Sequence, residues 1–175
     1  MKALLAHAAL LALPAALLGA AATPHAIAIA LLMLAFGAIE SRAARVDAIR
    51  FGAPGTRLAL ASALLLLVTT WLALAASAST WLGAPLALAG IALRAWSIRS
   101  LGPAFVSEAV TPRVRVRRGP YAIVRHPSEL GLLAIALGVV LLGTSAWSLG
   151  AFAALATTSF VRMRAEDQLP ASQSA

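Results

Sequence analysis

The chain has 175 residues, of which 61% are hydrophobic and 11% are charged. Soluble domains carry about 25% charged residues, so this chain cannot supply a water-exposed surface, and lipid is the expected solvent for most of it. The absence of cysteine excludes a disulfide framework, a thiolate metal site and a cysteine nucleophile. With three histidines and six acidic residues, no metal centre is expected.

Six apolar runs, paired into three hairpins, predict an all-α, multi-pass transmembrane protein. At about 1.5 Å per residue, a helix of about 20 residues crosses the hydrocarbon core of roughly 30 Å. The first run could instead be a cleaved signal peptide, because a lysine precedes it and small residues follow it. The last two runs are short, so they could enter the membrane and return. The runs are residues 3–22, 25–40, 58–76, 82–98, 128–143 and 146–161.

Basic residues divide the connecting loops into two classes. The loops after the first, third and fifth runs contain no Lys or Arg, whereas those after the second and fourth are rich in Arg. By the positive-inside rule, both termini and both basic loops are cytoplasmic. The net charge of +8 is thereby explained by topology, and nucleic acid is not expected as a partner because no aromatic residues interleave the basic ones.

The second basic loop, residues 99–127, contains the residues most suited to chemistry. Its four prolines forbid a long helix. The alternation of Arg113, Val114, Arg115 and Val116 has the period of an extended segment, whose free main-chain groups could hold a small polar cofactor at the membrane surface. A polybasic stretch held by anionic membrane lipid is the alternative.

This loop ends in the sequence RHPSELG at residues 125–131, where the fifth run begins. Pro127 predicts a helix start, whose unpaired N–H groups suit a carboxylate or a ribose hydroxyl. Arg125 and His126 come immediately before this helix start, and Gly131 would let a ligand or another helix approach the backbone. The segment therefore favours a binding site over simple attachment to lipid.

With these motifs the sequence resembles the isoprenylcysteine carboxyl methyltransferase and phospholipid methyltransferase group of integral membrane enzymes. The resemblance covers residues 93–169 and rests on LRAWSIRSLG, GPYAIVRHPSELG, the apolar hairpin that follows and RMRAEDQL. One membrane domain is expected, with N-terminal spans in residues 1–92 and a short tail at 170–175. The likeness implies S-adenosylmethionine as the cofactor and a lipophilic methyl acceptor, such as the carboxyl group of an isoprenylcysteine-like acid.

The likeness also implies roles for individual residues. Glu166 would hold the ammonium group of the cofactor, and Arg162, one helical turn earlier, would be the catalytic residue that orients the acceptor carboxylate. The cofactor pocket would be formed by Arg113, Val114, Arg115, Val116, Tyr121, His126, Pro127, Ser128, Glu129 and Glu166.

Two departures from the family pattern keep other functions open. Glu129 stands where the family usually has an aromatic residue, and many relatives continue beyond the position of Ala175 with an aromatic-rich amphipathic segment. A prenylated protein is therefore a less secure acceptor than a small lipophilic molecule. The alternatives are N- or S-methylation of a phospholipid or small molecule, or a non-catalytic membrane protein that keeps the fold.

Two charged residues lie inside or at the end of the apolar runs. Arg94, one turn inside the fourth run, is expected to extend to the interface beside Arg99, or otherwise to face the cofactor pocket. Glu40 ends the second run and is assigned to interfacial anchoring or packing.

Overall fold

A computed structural model describes residues 23–43, 54–101 and 118–168. Within these ranges the chain is helical, with short connections and no strand, as the sequence predicts. The first apolar run lies outside the described residues, and so do Arg113, Val114, Arg115 and Val116. The helices are α1 (Pro24–Ala43), α2 (Pro54–Leu74), α3 (Gly83–Leu101), α4 (Pro127–Leu142) and α5 (Ala146–Gln168), with a 3₁₀ turn at Gly119–Ala122.

The five helices follow the apolar runs closely, and the main difference is at the end of α5. The predicted run stops at residue 161, but the helix continues to Gln168. Arg, Met, Ala, Glu and Gln, which make up most of this extension, all have high helix propensity. The extension carries Arg162 and Glu166 on the same helix as the apolar run.

Among the described helices, the segment Arg57–Leu74 of α2 is long and apolar enough to cross a membrane by length and composition. Pro24–Glu40 and Pro127–Leu142 are apolar but shorter. The six crossings therefore remain a prediction of the sequence.

Helix α4 lies at the centre of the described bundle. Its side chains from Ile135 to Leu142 include five that are fully shielded from solvent. Large apolar side chains also remain exposed on the other helices, among them Leu31, Leu64 and Leu88. Apolar residues on both the inner and the outer faces are what lipid as the solvent requires. The five shielded residues of α4 are Ile135, Ala136, Val139, Val140 and Leu142.

Helices α3 and α4 run antiparallel and touch backbone to backbone. A Cβ atom added at Gly90 would lie 2.7 Å from the carbonyl oxygen of Gly131, and one at Gly131 would lie 2.9 Å from the carbonyl oxygen of Gly90. No side chain fits at either position, so small residues set the distance between the two helices, as is common in membrane bundles. This contact brings the start of α4 against the last turns of α3.

The connections without basic residues lie together at one end of the bundle. The Thr144 N–H donates to the Ala78 carbonyl at 2.7 Å, which joins the α2–α3 connection to the α4–α5 connection. At the same end the His25 ring lies 4.2 Å from the Trp81 ring, centroid to centroid. The opposite end holds Glu40 and the start of α4. The connections without basic residues and the start of α4 therefore lie at opposite ends of the described bundle.

The topology can be tested by labelling, because the natural chain has no cysteine. Single cysteines at Thr111 and Ser79 should react with an impermeant thiol reagent from opposite sides of the membrane, Thr111 from the cytoplasmic side. Ser79 is exposed in the connection that lacks basic residues. Labelling of both positions from the same side would overturn the six-span arrangement.

Candidate active site

A buried ion-pair chain joins the start of α4 to the end of α5. Arg162 Nη1 lies 3.2 Å from Glu129 Oε1, and Arg162 Nε lies 3.1 Å from Glu166 Oε1. The side chains of Arg162 and Glu129 are only 12% and 6% exposed. One guanidinium group thus pairs with two carboxylates on two different helices. The polar side chain that departs from the family pattern, Glu129, is accommodated in this way.

His126 extends this chain toward solvent. Its Nδ1 atom lies 3.4 Å from Glu166 Oε2, and its Nε2 atom lies 3.2 Å from Asp167 Oδ1. Asp167 Oδ2 also accepts a hydrogen bond of 3.1 Å from Arg125 Nη1. Both imidazole nitrogens face carboxylates, an arrangement that suits the protonated ring, because only then are both nitrogens donors.

These contacts displace the pKa values of the groups involved. The hydrogen bond to Glu166 is the main reason why the pKa of His126 lies above its ordinary value, with partial burial opposing it and Asp167 adding to it. Burial alone would raise the pKa of Glu166, but the hydrogen bond with His126 and the charge of Arg162 outweigh it and lower that pKa. Glu166 is therefore held ionised.

Tyr121 belongs to the same electrostatic environment. Burial, reinforced by the negative charges of Glu166 and Glu129, raises the pKa of its phenol to about 12, although Arg94 acts in the opposite direction. The phenol therefore stays protonated and can donate a hydrogen bond. Gly119 begins the 3₁₀ turn with a φ of 60°, a left-handed conformation that favours glycine.

Arg94 does not extend to the interface, so that expectation is wrong. The residue is 7% exposed, and its Nε atom donates to Glu40 Oε1 at 2.5 Å. Its Nη1 atom donates to the carbonyl and the hydroxyl oxygens of Ser128, at 3.0 and 2.9 Å. Glu40 therefore pairs across helices and does more than anchor α1. An arginine inside an apolar run is stable there because a carboxylate lies within reach.

Most of the predicted site residues come together at one end of the bundle. Contacts or charge interactions link Tyr121, His126, Ser128, Glu129, Arg162 and Glu166, and Pro127 begins α4 among them. The ion pair of Arg94 with Glu40 was not predicted from the sequence. The signal was present, since each is a charge within or beside an apolar run and the two charges have opposite sign.

Comparison with known protein families identifies the group to which this arrangement belongs. The family model of the isoprenylcysteine carboxyl methyltransferase family matches residues 81–171, just over half of the chain. The chain belongs to this family. Comparison with curated proteins and comparison with solved structures each found no match.

Membership of the isoprenylcysteine carboxyl methyltransferase family makes this a membrane-integral protein of a methyltransferase family. The matched region begins before α3 and includes α4, α5 and the turn between α3 and α4. Every member of the Glu129, Arg162, Glu166 and His126 cluster lies within it. Glu40 lies outside it, in the N-terminal part of the chain.

The residues at this site fit the chemistry of S-adenosylmethionine, which carries a sulfonium, an ammonium and a carboxylate group. Glu129 Oε2 is buried and has no hydrogen-bond partner among the described residues, which leaves it available to accept from a donor such as an ammonium group. Glu166 adds a carboxylate whose lowered pKa holds it ionised. The first-turn N–H groups of α4 have no side-chain cap from His126, which leaves them as donors for an anionic or hydroxyl group.

The position of His126 predicts a pH-dependent stability. Its pKa is higher in the folded protein than in the unfolded chain, so its stabilising contribution is complete below pH ~6.5 and is lost as pH rises through the folded-state pKa. The thermal stability lost in His126→Gln should therefore be largest in mildly acidic buffer and should shrink at alkaline pH. Thermal unfolding of both proteins across this pH range measures the difference.

The matched control for this measurement is His25→Gln. His25 stacks on Trp81 at the opposite end of the bundle, and the described residues include no ion pair to it. Its variant removes an imidazole that has no ion pair among the described residues, so it reports the effect on thermal stability of losing a histidine without a carboxylate partner. A gap between His126→Gln and the parent that stayed constant with pH would contradict the ion-pair role of His126.

Proposed function

We propose that the chain is an S-adenosylmethionine-dependent methyltransferase that acts at the cytoplasmic face of a membrane on a lipophilic acceptor. One observation carries the proposal: the cluster of Glu129, Arg162, Glu166 and His126 combines a buried carboxylate oxygen of Glu129, unpartnered among the described residues, with the ionised carboxylate of Glu166. This cluster lies in the region that matches the methyltransferase family.

When bound, the cofactor would supply a methyl group already activated on a sulfonium. The side chains then have little bond chemistry to perform, and their work is to bind, to align and to exclude water. Glu166 and Glu129 would bind the cationic part of the methionine moiety. Tyr121 would donate from its protonated phenol, and the backbone at the start of α4 would bind through its free N–H groups.

For the acceptor, we propose a lipophilic carboxylic acid whose carboxylate is oriented by Arg162. An ionised acid is already a nucleophile, so no general base is needed. The acceptor carboxylate would share the guanidinium with Glu129 and Glu166, and a planar fork with several donors allows such sharing. Arg162 would thus align the acceptor with the methyl group while it keeps two donor-site carboxylates in place.

A lipid or small-molecule amine is the second candidate acceptor. An amine must lose a proton to act as a nucleophile, and the unpartnered Oε2 atom of Glu129 is a group that can accept one. Glu129 would therefore have a different role for each acceptor. An amine acceptor would require Glu129 to accept a proton, whereas a carboxylate acceptor would require only the ion pair between Glu129 and Arg162.

The test is a calorimetric titration of the detergent-solubilised protein with S-adenosylmethionine, followed by transfer of a labelled methyl group. We expect saturable binding and labelling of a prenylated cysteine acid in preference to a lipid amine. Labelling of the amine alone would replace the carboxyl proposal with the amine alternative. Absence of saturable binding would favour a non-catalytic protein that keeps the fold.

A further inference from the structure

The contacts of Arg94 link three helices at the end of the bundle that holds the site. Through Nε the side chain binds Glu40 of α1, and through Nη1 it binds Ser128 of α4. We infer that Arg94, braced by Glu40, is a positioning residue that fixes the first turn of α4 and thereby the carboxylate of Glu129. The inference rests on the proposed function for the identity of the ligand that Glu129 meets.

The atoms that Arg94 contacts on α4 explain why it controls position. One of its two acceptors there is the main-chain carbonyl of Ser128, so the backbone itself is held. Ser128 lies directly between Pro127 and Glu129, two of the predicted cofactor-binding residues. A shift of this carbonyl moves both neighbours. Arg94 therefore acts on the site through the backbone and need not touch a ligand.

The absence of a side chain at Gly131 makes this contact possible. A Cβ atom at Gly131 would lie 3.0 Å from both the Cβ and the backbone nitrogen of Arg94. The arginine side chain can thus start from a close contact between α3 and α4 and continue along the first turn of α4. Its guanidinium carbon also lies 5.7 Å from the centroid of the Phe36 ring, which places it against α1.

The first turn of α4 is consequently held from two directions. Arg94 holds Ser128 from α3, and Arg162 holds Glu129 from α5 at 3.2 Å. If either arginine is removed, the first turn of α4 is held from one side only. The position of the Glu129 carboxylate relative to that of Glu166 is then less well fixed. Precision of this kind matters for methyl transfer, because misplacement by about 1 Å can reduce a rate about 100-fold.

Glu40 gives the N-terminal part of the chain a role in the site. It lies outside the family-matching residues 81–171, but its carboxylate neutralises the buried guanidinium that holds α4. A buried charge that loses its partner is strongly destabilised. Without Glu40 the guanidinium of Arg94 would turn toward water or another acceptor and would release Ser128.

Arg94→Lys separates positioning from simple stabilisation. A lysine ammonium keeps the charge that Glu40 needs, but it lacks the fork that reaches Glu40 and Ser128 together. We expect hydrogen exchange at residues 130–132 to accelerate about fivefold or more, with the rest of α3 and α4 protected as in the parent. Calorimetric titration should show the dissociation constant of S-adenosylmethionine rising about tenfold.

The matched control is Arg99→Lys, which makes the same substitution on the same helix at an exposed residue. It should leave both measurements unchanged. Glu40→Ala, on a different helix, should reproduce the local acceleration at residues 130–132. Agreement of these three variants with expectation would support the positioning role.

Two results would overturn the inference. One is parent-like exchange at residues 130–132 in both Arg94→Lys and Glu40→Ala. The other is faster exchange spread evenly over α3 and α4, which would reduce Arg94 to a general stabilising residue. The exchange measurement needs no ligand, so a parent protein that failed to bind S-adenosylmethionine would refute the proposed function and leave the positioning of α4 to be decided separately.

Discussion

Arg162→Ala should destabilise the protein by about 3–5 kcal/mol and abolish methyl transfer, because it leaves a buried carboxylate without its counter-ion. Glu129, whose side chain is only 6% exposed, would lose the guanidinium that lies 3.2 Å from its Oε1 atom, and its Oε2 atom already lacks a hydrogen bond among the described residues. Thermal or denaturant unfolding measures the first effect, and transfer of a labelled methyl group measures the second.

Two further variants sharpen this experiment. Arg164→Ala removes an exposed arginine that lies over Phe160 on the same helix, and it should change stability by less than about 1 kcal/mol. The double variant Glu129→Leu with Arg162→Met replaces both partners of the buried pair with apolar groups. It should recover most of the lost stability but not methyl transfer. A stable Arg162→Ala protein would contradict the ion-pair chain.

The structure also changes what Arg162→Ala is expected to do to the cofactor. From the resemblance alone, this arginine serves the acceptor, and its loss would leave donor affinity nearly unchanged. Its guanidinium in fact pairs with Glu129 and Glu166, the two carboxylates proposed to bind the donor. Donor affinity should therefore fall together with turnover, and Arg162→Lys should restore only part of either.

Glu166→Ala should weaken binding of S-adenosylmethionine at least about tenfold, since a charge-assisted hydrogen bond is worth about 1.5–3 kcal/mol. The same change removes the partner of His126 Nδ1 and one of the two carboxylates on Arg162. Glu166→Gln keeps the shape and removes the charge, so it separates loss of packing from loss of the ionised acceptor. Calorimetric titration measures all three proteins.

Asp167→Asn is the matched control for Glu166. Asp167 is the next residue and also contacts His126, but it is exposed and pairs outward with Arg125. Its variant should bind the donor with little change. Equal affinity of Glu166→Ala and the parent would exclude Glu166 from the donor site.

The described helices could be predicted from the sequence because they follow apolar runs bounded by Gly, Pro, Ser or charged residues. Pro127 at the start of α4 and Gly143 at its end are examples of such boundaries. The convergence of His126, Glu129, Arg162 and Glu166 could be predicted only through the family resemblance. The sequence alone places two pairs of residues at the ends of two helices, and the antiparallel packing of α4 and α5 is what brings the pairs together.

The opposite charges of Arg94 and Glu40 are a signal for pairing, but that signal is not sufficient when each apolar run is considered against lipid alone. Against lipid alone, an arginine near a helix end extends its side chain to the membrane interface, so its charge stays in water and the cost of burying it is avoided. The actual outcome depends on the relative depths of α1 and α3 and on the close approach that Gly131 permits. Relative depth and close approach are set by the packing of the helices, so they cannot be inferred from the sequence of either apolar run alone.

The glycine contact between α3 and α4 restricts the route by which an oily acceptor can arrive. A prenyl or acyl tail moving sideways out of the bilayer needs a gap several ångströms wide, yet a single Cβ atom at Gly90 would already lie 2.7 Å from the backbone of α4. The contact between α3 and α4 at these glycines therefore leaves no gap for an alkyl chain. Under the proposed function, the tail of the acceptor would therefore have to enter along another side of α4.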